Sequence, residues 1–456
     1  HYNHCLILTL FFLCLKDSCL LTTRINILMQ KQSPSNLNPD LTKFTEQYGS
    51  NFCPAPFEHV IIYGDEVMTC CKTKVPIGNL KDNTLKEIYE GPIIEQVRQQ
   101  FLNNEKPTQC KNCWKEENET GLPANVRVSA SKMSAETWTD DSVTKPRIKF
   151  LDVVWSNKCN FACMGCTPLL SSTINKLFKE QYSKLYGKLD KDYYVDYQDW
   201  ETNVDHIKSY IEEYGDELHY IHFQGGEPFL NNSLFDILDL MIEKQMFKTK
   251  ILFHTNGSVS KTHKGKDLIK EYLAKWGEQA RVNFSLDGIG TRGEYIRYGY
   301  RQKTWERNFA KSYDNIRTSI ATRANVFNIL HLEELASYCN NKNTKTDKRF
   351  GSLGHWGNSE SNLGLIKIHD PTRIKAIDSL KRILQTGDSP KPWRTKIPNY
   401  INWLENDHMP EKWAVYRWAS SLSDFDQARG TDFDQTFPEL VEFKNYAFDW
   451  AQDYKN

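Results

Sequence analysis

From Arg147 onward the chain alternates short apolar runs with longer stretches in which apolar residues recur every three or four positions. The short runs, at 147–155, 217–224, 249–255, 280–286 and about 318–326, predict strands. The first of them, Ile148 to Trp155, reads as buried, since a strand covered on both faces shows continuous rather than alternating hydrophobicity. The stretches at about 168–186, 201–214, 231–246, 265–276 and 303–317 predict amphipathic helices. Leu234, Leu238, Met241 and Ile242 share one face of the third, and Trp305, Phe309, Tyr313 and Ile316 one face of the last. Strands that alternate with helices imply a parallel sheet with right-handed crossovers, an α/β fold. Leu363 to His369, just ahead of Asp370-Pro371, is taken as a sixth strand, and 372–456 as helices rich in Trp and Tyr that cover the sheet and its open edge.

The N-terminal part has a different texture. Residues 30–50 are polar, with Pro34 and Pro39, and read as a linker. A compact module follows over 51–121. His59 to Tyr63 and Glu66 to Cys70 flank a Gly64-Asp65 turn, a hairpin signal. Thr84-Leu85-Lys86-Glu87 opens one helix and Ile93 to Leu102 forms another. The polar segment 122–146, with Pro123 and Pro146, reads as a crossing to the strand–helix core at 147–340, which 341–456 completes. Residues 1–28 fit none of this. Their apolar run from Cys5 to Leu15 is too short to span a bilayer, has no basic segment before it and no small-residue cleavage site after it, and the first methionine is Met29. The expectation is upstream translation or an ill-called start, with a truncated membrane anchor as the alternative.

Composition narrows the class. The 456 residues carry 58 basic and 58 acidic side chains without a long basic run, so no nucleic-acid partner is expected. Aromatic residues make up 12%, which argues against a disordered chain. The twelve cysteines cluster at two- and three-residue spacings, the pattern of metal ligation in a reducing cytosol rather than of disulfides. A cytoplasmic protein without a membrane partner is expected.

Candidate chemistry gathers where parallel strands end, the usual place for it in βα barrels. Behind the first strand, Cys159, Cys163 and Cys166 stand at C-x3-C-x2-C spacing in one short loop. A closed zinc site wants four ligands, and ordinary [4Fe–4S] sites four cysteines; a cubane held by three thiolates keeps one iron open. The second strand ends in Gly225-Gly226-Glu227-Pro228, whose glycines permit close backbone approach and whose carboxylate can accept from an ammonium group. The third ends in His254-Thr255-Asn256-Gly257, and the fourth in Ser285-Leu286-Asp287-Gly288, where Ser285 and Asp287 can bond ribose hydroxyls. Asn325 and Asn328 follow the fifth strand. His222, Gln224 and His254 lie near the mouth, and buried, satisfied histidines are the expectation there. In the module, Cys53, Cys70, Cys110 and Cys113 make a four-thiol site for zinc or iron–sulfur, with Cys71 a spare because adjacent strand residues face opposite ways.

The three-cysteine spacing, followed in order by the three strand-end motifs, resembles the radical S-adenosylmethionine (SAM) family. The resemblance covers roughly 51–330. The order Cys-Pro-x-Pro-Phe, Gly…Cys-Cys, a helix, then C-x2-C resembles the SPASM/twitch module of peptide-modifying and related members, here placed before the barrel. The resemblance implies a partial (β/α)6 TIM-like barrel, a SAM-binding [4Fe–4S] cluster on Cys159, Cys163 and Cys166, and an auxiliary [4Fe–4S] cluster on Cys53, Cys70, Cys110 and Cys113. It assigns SAM to Gly225, Gly226, Glu227, Asn256, Ser285 and Asp287. It implies one-electron cleavage of SAM to methionine and a 5′-deoxyadenosyl radical that abstracts hydrogen from a peptide or small-molecule substrate, as in peptide modification or carbohydrate dehydrogenation, with an electron donor such as flavodoxin or ferredoxin. One position departs from the family pattern: Gly165, behind Met164, stands where an aromatic residue commonly packs near adenine. Two alternatives remain at this level, a non-catalytic protein with zinc in both cysteine sites and a barrel that binds SAM as an ordinary methyl donor or sensor.

Overall fold

The computed structural model describes residues 38–73, 75–154, 156–177, 203–313, 315–343, 352–355, 363–406 and 409–452. Among these, nine strands form one sheet: β1 (His59–Tyr63), β2 (Glu66–Met68), β3 (Gly78–Asn79), β4 (Phe150–Val154), β5 (Tyr220–Gln224), β6 (Lys250–Thr255), β7 (Ala280–Ser285), β8 (Arg317–Ala324) and β9 (Ser352–His355). Their order is β9-β8-β7-β6-β5-β4-β1-β2-β3. Strands β4 to β9 are parallel and follow chain order, an open partial barrel. Burial explains the strands: Phe150, Leu151, Val153 and Val154 are all covered, and so are Ile221, His222 and Phe223. The helices Val204–Tyr214, Leu234–Glu243 and Gln302–Tyr313 lay their apolar stripes on the sheet, Trp305 stacking on Phe309 within the last.

The module is built into this sheet. Strand β1 pairs in parallel with β4, His59 opposite Phe150 and Tyr63 opposite Val154, while β2 turns back antiparallel on β1. The helix from Leu85 to Tyr89 begins with the capping box read in the sequence, Thr84 with Glu87. A buried ion pair fastens the junction. Lys149 Nζ donates to Glu58 Oε1 at 2.5 Å and to the Thr137 carbonyl at 2.6 Å, and Thr137 and Ser142 hydroxyls donate to the same carboxylate.

Four segments differ from expectation. Residues 39–48 of the expected linker form a helix, started by the Asn38 cap and Pro39 and buried through Leu41 and Phe44. In the expected crossing segment, Asn125–Ser134 is helical; its buried residues are Arg127, Ala130, Ser131 and Ser134, too polar to show an apolar stripe. Leu363–Ile368 is a 3₁₀ turn buried at every position, and the sixth parallel strand is Ser352–His355. A short, mostly apolar run reads alike in either state. The expected helix at 265–276 is a wide turn, Leu268–Tyr272, followed by tighter ones interrupted at Gly277. Of the helix expected at 168–186, positions 178–186 lie outside the described residues.

Removing one partner of a buried ion pair strands the other charge. Lys149→Met is therefore expected to lower the unfolding free energy by about 3–5 kcal/mol, with the double variant Glu58→Leu/Lys149→Met recovering most of it, measured by urea denaturation.

Candidate active site

Beyond β4 the chain makes a loop pinned at several points. Cys159 N–H donates to Ser172 Oγ at 3.2 Å, Thr173 Oγ1 to the Cys159 carbonyl at 2.6 Å, and Ser171 Oγ to the Phe161 carbonyl at 2.5 Å. Ala162–Cys163 pairs antiparallel with Arg297–Tyr298. From the C-terminal helix Lys412–Arg429, Arg429 donates to the Ala162 carbonyl at 2.6 Å and meets Met164 Sδ at 2.7 Å. The result is that Cys159, Cys163 and Cys166 line one cavity of about 530 Å³. Burial and mutual repulsion raise the Cys159 and Cys166 thiols, Cys166 to about 12; burial raises Cys163 against the pull of Arg297. Three half-buried thiols gathered on one cavity are neutral by themselves and suit a soft metal centre that holds them as thiolates. The donor set fits a cluster bound by three cysteines.

The other strand ends meet this loop. Gly226 N–H donates to the Ser156 carbonyl, and a Cβ on Gly226 would lie 2.3 Å from the Lys158 carbonyl oxygen, so the close approach requires glycine. Gly225, at φ +116°, and Gly226 both line the cavity. Glu227 is fully buried. It accepts from Thr255 Oγ1 at 2.8 Å, Asn256 N–H at 2.6 Å and Phe229 N–H at 3.1 Å, and burial pushes it up to about 7. It thus holds the loop after β6. Asn256 lines the cavity and donates to Asn160 Oδ1 at 2.9 Å. Ser285 reaches the cavity wall, whereas Asp287 turns away from it to Arg297 (2.7 Å) and the Arg323 amide (2.7 Å). Asn325 and Asn328 cap the turn after β8, Asn328 donating to the Asp287 carbonyl.

Sequence reasoning missed Arg297. It bridges Asp287 and Cys163, whose Sγ lies 3.8 Å from Nη1, and it lines the cavity. A lone arginine ten residues past an Asp-Gly turn carries no pattern; the antiparallel pairing with Cys163 brings it in. Arg429 was invisible for the same reason.

Below the cavity runs a row of polar side chains. Asn283 Oδ1 accepts from Arg281 Nε at 3.0 Å and from the Ser319 hydroxyl, so its amide nitrogen donates to His254 Nε2 at 2.7 Å. His254 then carries its proton on Nδ1 and donates to His222 Nε2 at 3.2 Å; His222 Nδ1 donates to Asp152 Oδ1 at 2.8 Å, and His59 Nε2 to Asp152 Oδ2 at 2.7 Å. Burial opposes ionisation of Asp152, but the bonds from His222 and His59 hold it well below the usual carboxylate range. Burial first, then the charges of His222, Arg323 and Arg281, lower His254 to about 3.

In the module, Cys53, Cys70 and Cys113 are buried and Cys110 is half-buried at the head of the helix Lys111–Thr120. Burial raises all four thiols; Cys70 and Cys113 raise Cys53, and the other three raise Cys110. Cys71 is exposed and faces the main cavity instead. Among the described residues no group of three or more His, Cys, Asp or Glu side chains is arranged to hold a single metal ion.

Family models match in two places: the radical SAM superfamily over residues 153–336 and the SPASM iron–sulfur cluster-binding domain over 53–114. The chain thus carries a radical SAM domain preceded by a SPASM-type domain. A radical SAM domain implies a [4Fe–4S] cluster and SAM, and a SPASM-type domain an auxiliary cluster. The radical SAM cyclopropyl synthase TigE of Paramaledivibacter caminithermalis is 28% identical over 142 residues, 31% of this chain and 28% of TigE, so the chain spans less than a third of that relative's length. The solved structure of native anSMEcpe with bound AdoMet and Kp18Cys peptide is 16% identical over 53% of this chain and 62% of its own, with a TM-score of 0.32. Among the described residues no helix is long and apolar enough to cross a membrane.

The polar row makes a pH prediction. Folded His254 resists protonation down to about 3, while the unfolded side chain protonates near its ordinary value of 6.5. The unfolded state therefore binds more protons below 6.5, and stability falls as pH drops from about 6.5, by at most about 1.4 kcal/mol per pH unit from this group. His254→Gln is expected to be less stable at pH 7 but to show a flatter acid limb in urea denaturation between pH 6.5 and 5.

Proposed function

We propose that this protein is an enzyme that cleaves SAM reductively and abstracts hydrogen from a bound substrate, a peptide or a small molecule. The observation that carries the reading is three cysteine thiols lining one cavity together with Asn256, Ser285 and Arg297. In it Cys159, Cys163 and Cys166 hold a [4Fe–4S] cluster, and Cys53, Cys70, Cys110 and Cys113 an auxiliary one. When bound, the cluster and SAM supply one-electron cleavage to a 5′-deoxyadenosyl radical. The chain's share is positioning and exclusion of water. Gly225 and Gly226 would let backbone approach SAM; Ser285 and Asn256 would offer hydrogen bonds to it; Arg297, paired with Asp287, stands beside Cys163. Glu227 and Asp287, both buried, act by holding the Thr255–Asn256 turn and Arg297. The module shares the sheet through β1; an auxiliary cluster held by Cys53, Cys70, Cys110 and Cys113 would supply an electron acceptor for the substrate radical or would shape the substrate site. Peptide modification and carbohydrate dehydrogenation are the two reaction classes in view, with an electron donor such as flavodoxin or ferredoxin.

The test is reductive SAM cleavage by anaerobically reconstituted protein, beside Cys159→Ala/Cys163→Ala/Cys166→Ala, with iron counted in both. Two cubanes predict about eight irons, falling to about four in the variant, with 5′-deoxyadenosine formed by the wild type alone. Protein that takes up zinc and no iron would end the radical reading. Unchanged SAM chemistry in the variant would point to the methyl-donor alternative.

A further inference from the structure

Two parts of the cavity wall are left over when the cluster and SAM are assigned. The first is apolar and comes from the N-terminal module. Ile61 of β1 and Met68 of β2 form, with Val154, a small apolar group separate from the main core, and Tyr63 packs beside it. All four line the cavity, as Cys166 does. Their inward direction follows from the register, which puts Ile61 opposite Asp152 and on the same face as Tyr63.

The second part is charged. Arg297 and Arg323 are the lining residues with a fixed charge; no carboxylate lies among the described residues of the wall. Asp287 neutralises Arg297. Arg323 makes no ion pair among the described residues and has only a more distant share in the charge of Asp287. Its amide is pinned to Asp287, its neighbour across the sheet is Gly354, and the residue two before it on the same face is Ala321, so its exposed guanidinium has room on that side. Nearby His254 is neutral and offers no countercharge, its own proton affinity being reduced by burial and by this arginine among others. An uncompensated guanidinium in a cavity presents a fork that matches a carboxylate in two parallel hydrogen bonds.

We propose that the cavity selects a substrate bearing a carboxylate next to an apolar group, with the carboxylate paired to Arg323 and the apolar group against Ile61, Tyr63 and Met68. The module is then a specificity wall as well as a cluster carrier. This rests on the radical SAM reading for the placement of cluster and SAM, and it names the substrate class of the same site.

The carboxylate can be a free chain end or an acidic side chain, and three probes separate these: N-acetyl-leucine, N-acetyl-glutamyl-leucinamide and, as the neutral control, N-acetyl-leucinamide. Binding to the full-length, iron-loaded protein with SAM is measured anaerobically by calorimetry. At least one acid is expected to bind about tenfold or more tighter than the amide, a difference of about 1.4 kcal/mol, and which acid wins names the source. Arg323→Gln should abolish the difference and Arg323→Lys keep part of it, while Arg317→Gln, at the exposed foot of the same strand, retains it. Equal binding of acids and amide, or no binding of any probe, overturns the proposal. So does a tenfold loss of SAM affinity in Arg323→Gln with the acid preference intact, which would assign Arg323 to the cofactor. Iron content and 5′-deoxyadenosine are read on the same preparations. Failure of this proposal leaves both intact, whereas failure of the radical reading appears as protein without iron or without cleavage.

Discussion

A single row of hydrogen bonds crosses the inside of the sheet, from His59 through Asp152, His222, His254 and Asn283 to Ser319, one residue from each of six neighbouring strands. A one-residue slip of any of these strands would turn its member to the other face and leave buried polar groups unpaired. The row therefore fixes the register that brings the ends of β4, β5, β6 and β7 level. Because those ends are level, the cysteine loop, the Gly225-Gly226 turn, Asn256 and Ser285 open onto one cavity. The direction of donation, toward Asp152 from both sides, gives the row a definite sense.

Three parts of the chain that are far apart in sequence converge on the cysteine loop. The barrel supplies the strand ends. The module supplies β1, whose pairing with β4 and whose Glu58–Lys149 anchor make it continuous with the sheet. The C-terminal helices supply Arg429, which lies over the Phe425 ring and ties down Ala162 and Met164. The region read as a cover for the sheet thus also buttresses the loop that carries the thiols.

The electrostatics are divided by depth. Carboxylates near the site, Glu227 and Asp287, are wholly buried and spend their acceptors on Thr255, Asn256, Arg297 and the Arg323 amide. The cavity wall itself carries thiols, amides, hydroxyls and two arginines. Such a wall would suit the anionic substrate group proposed for Arg323, because a cation with no ion pair among the described residues is stabilised by an anion that binds.

What the sequence determined by itself was local and periodic. The apolar runs gave five parallel strands within about three residues of their ends, the Thr84–Glu87 box a helix start, and the clustered cysteines with the strand-end motifs a resemblance that the family models share. These were legible because each rests on neighbours in the chain: side-chain period, capping and turn chemistry. The rest depended on groups distant in sequence. Whether Leu363–Ile368 or Ser352–His355 completes the sheet was decided by which backbone found a partner in β8. The helix Asn125–Ser134 buries polar and small residues that only tertiary contacts satisfy. Asp287 and Ser285, two apart and apparently equivalent, part company because β7 ends at Ser285 and the alternation of faces ends with it. Arg297, Arg429 and Arg323 acquire meaning only from where the folded chain sets their guanidinium groups.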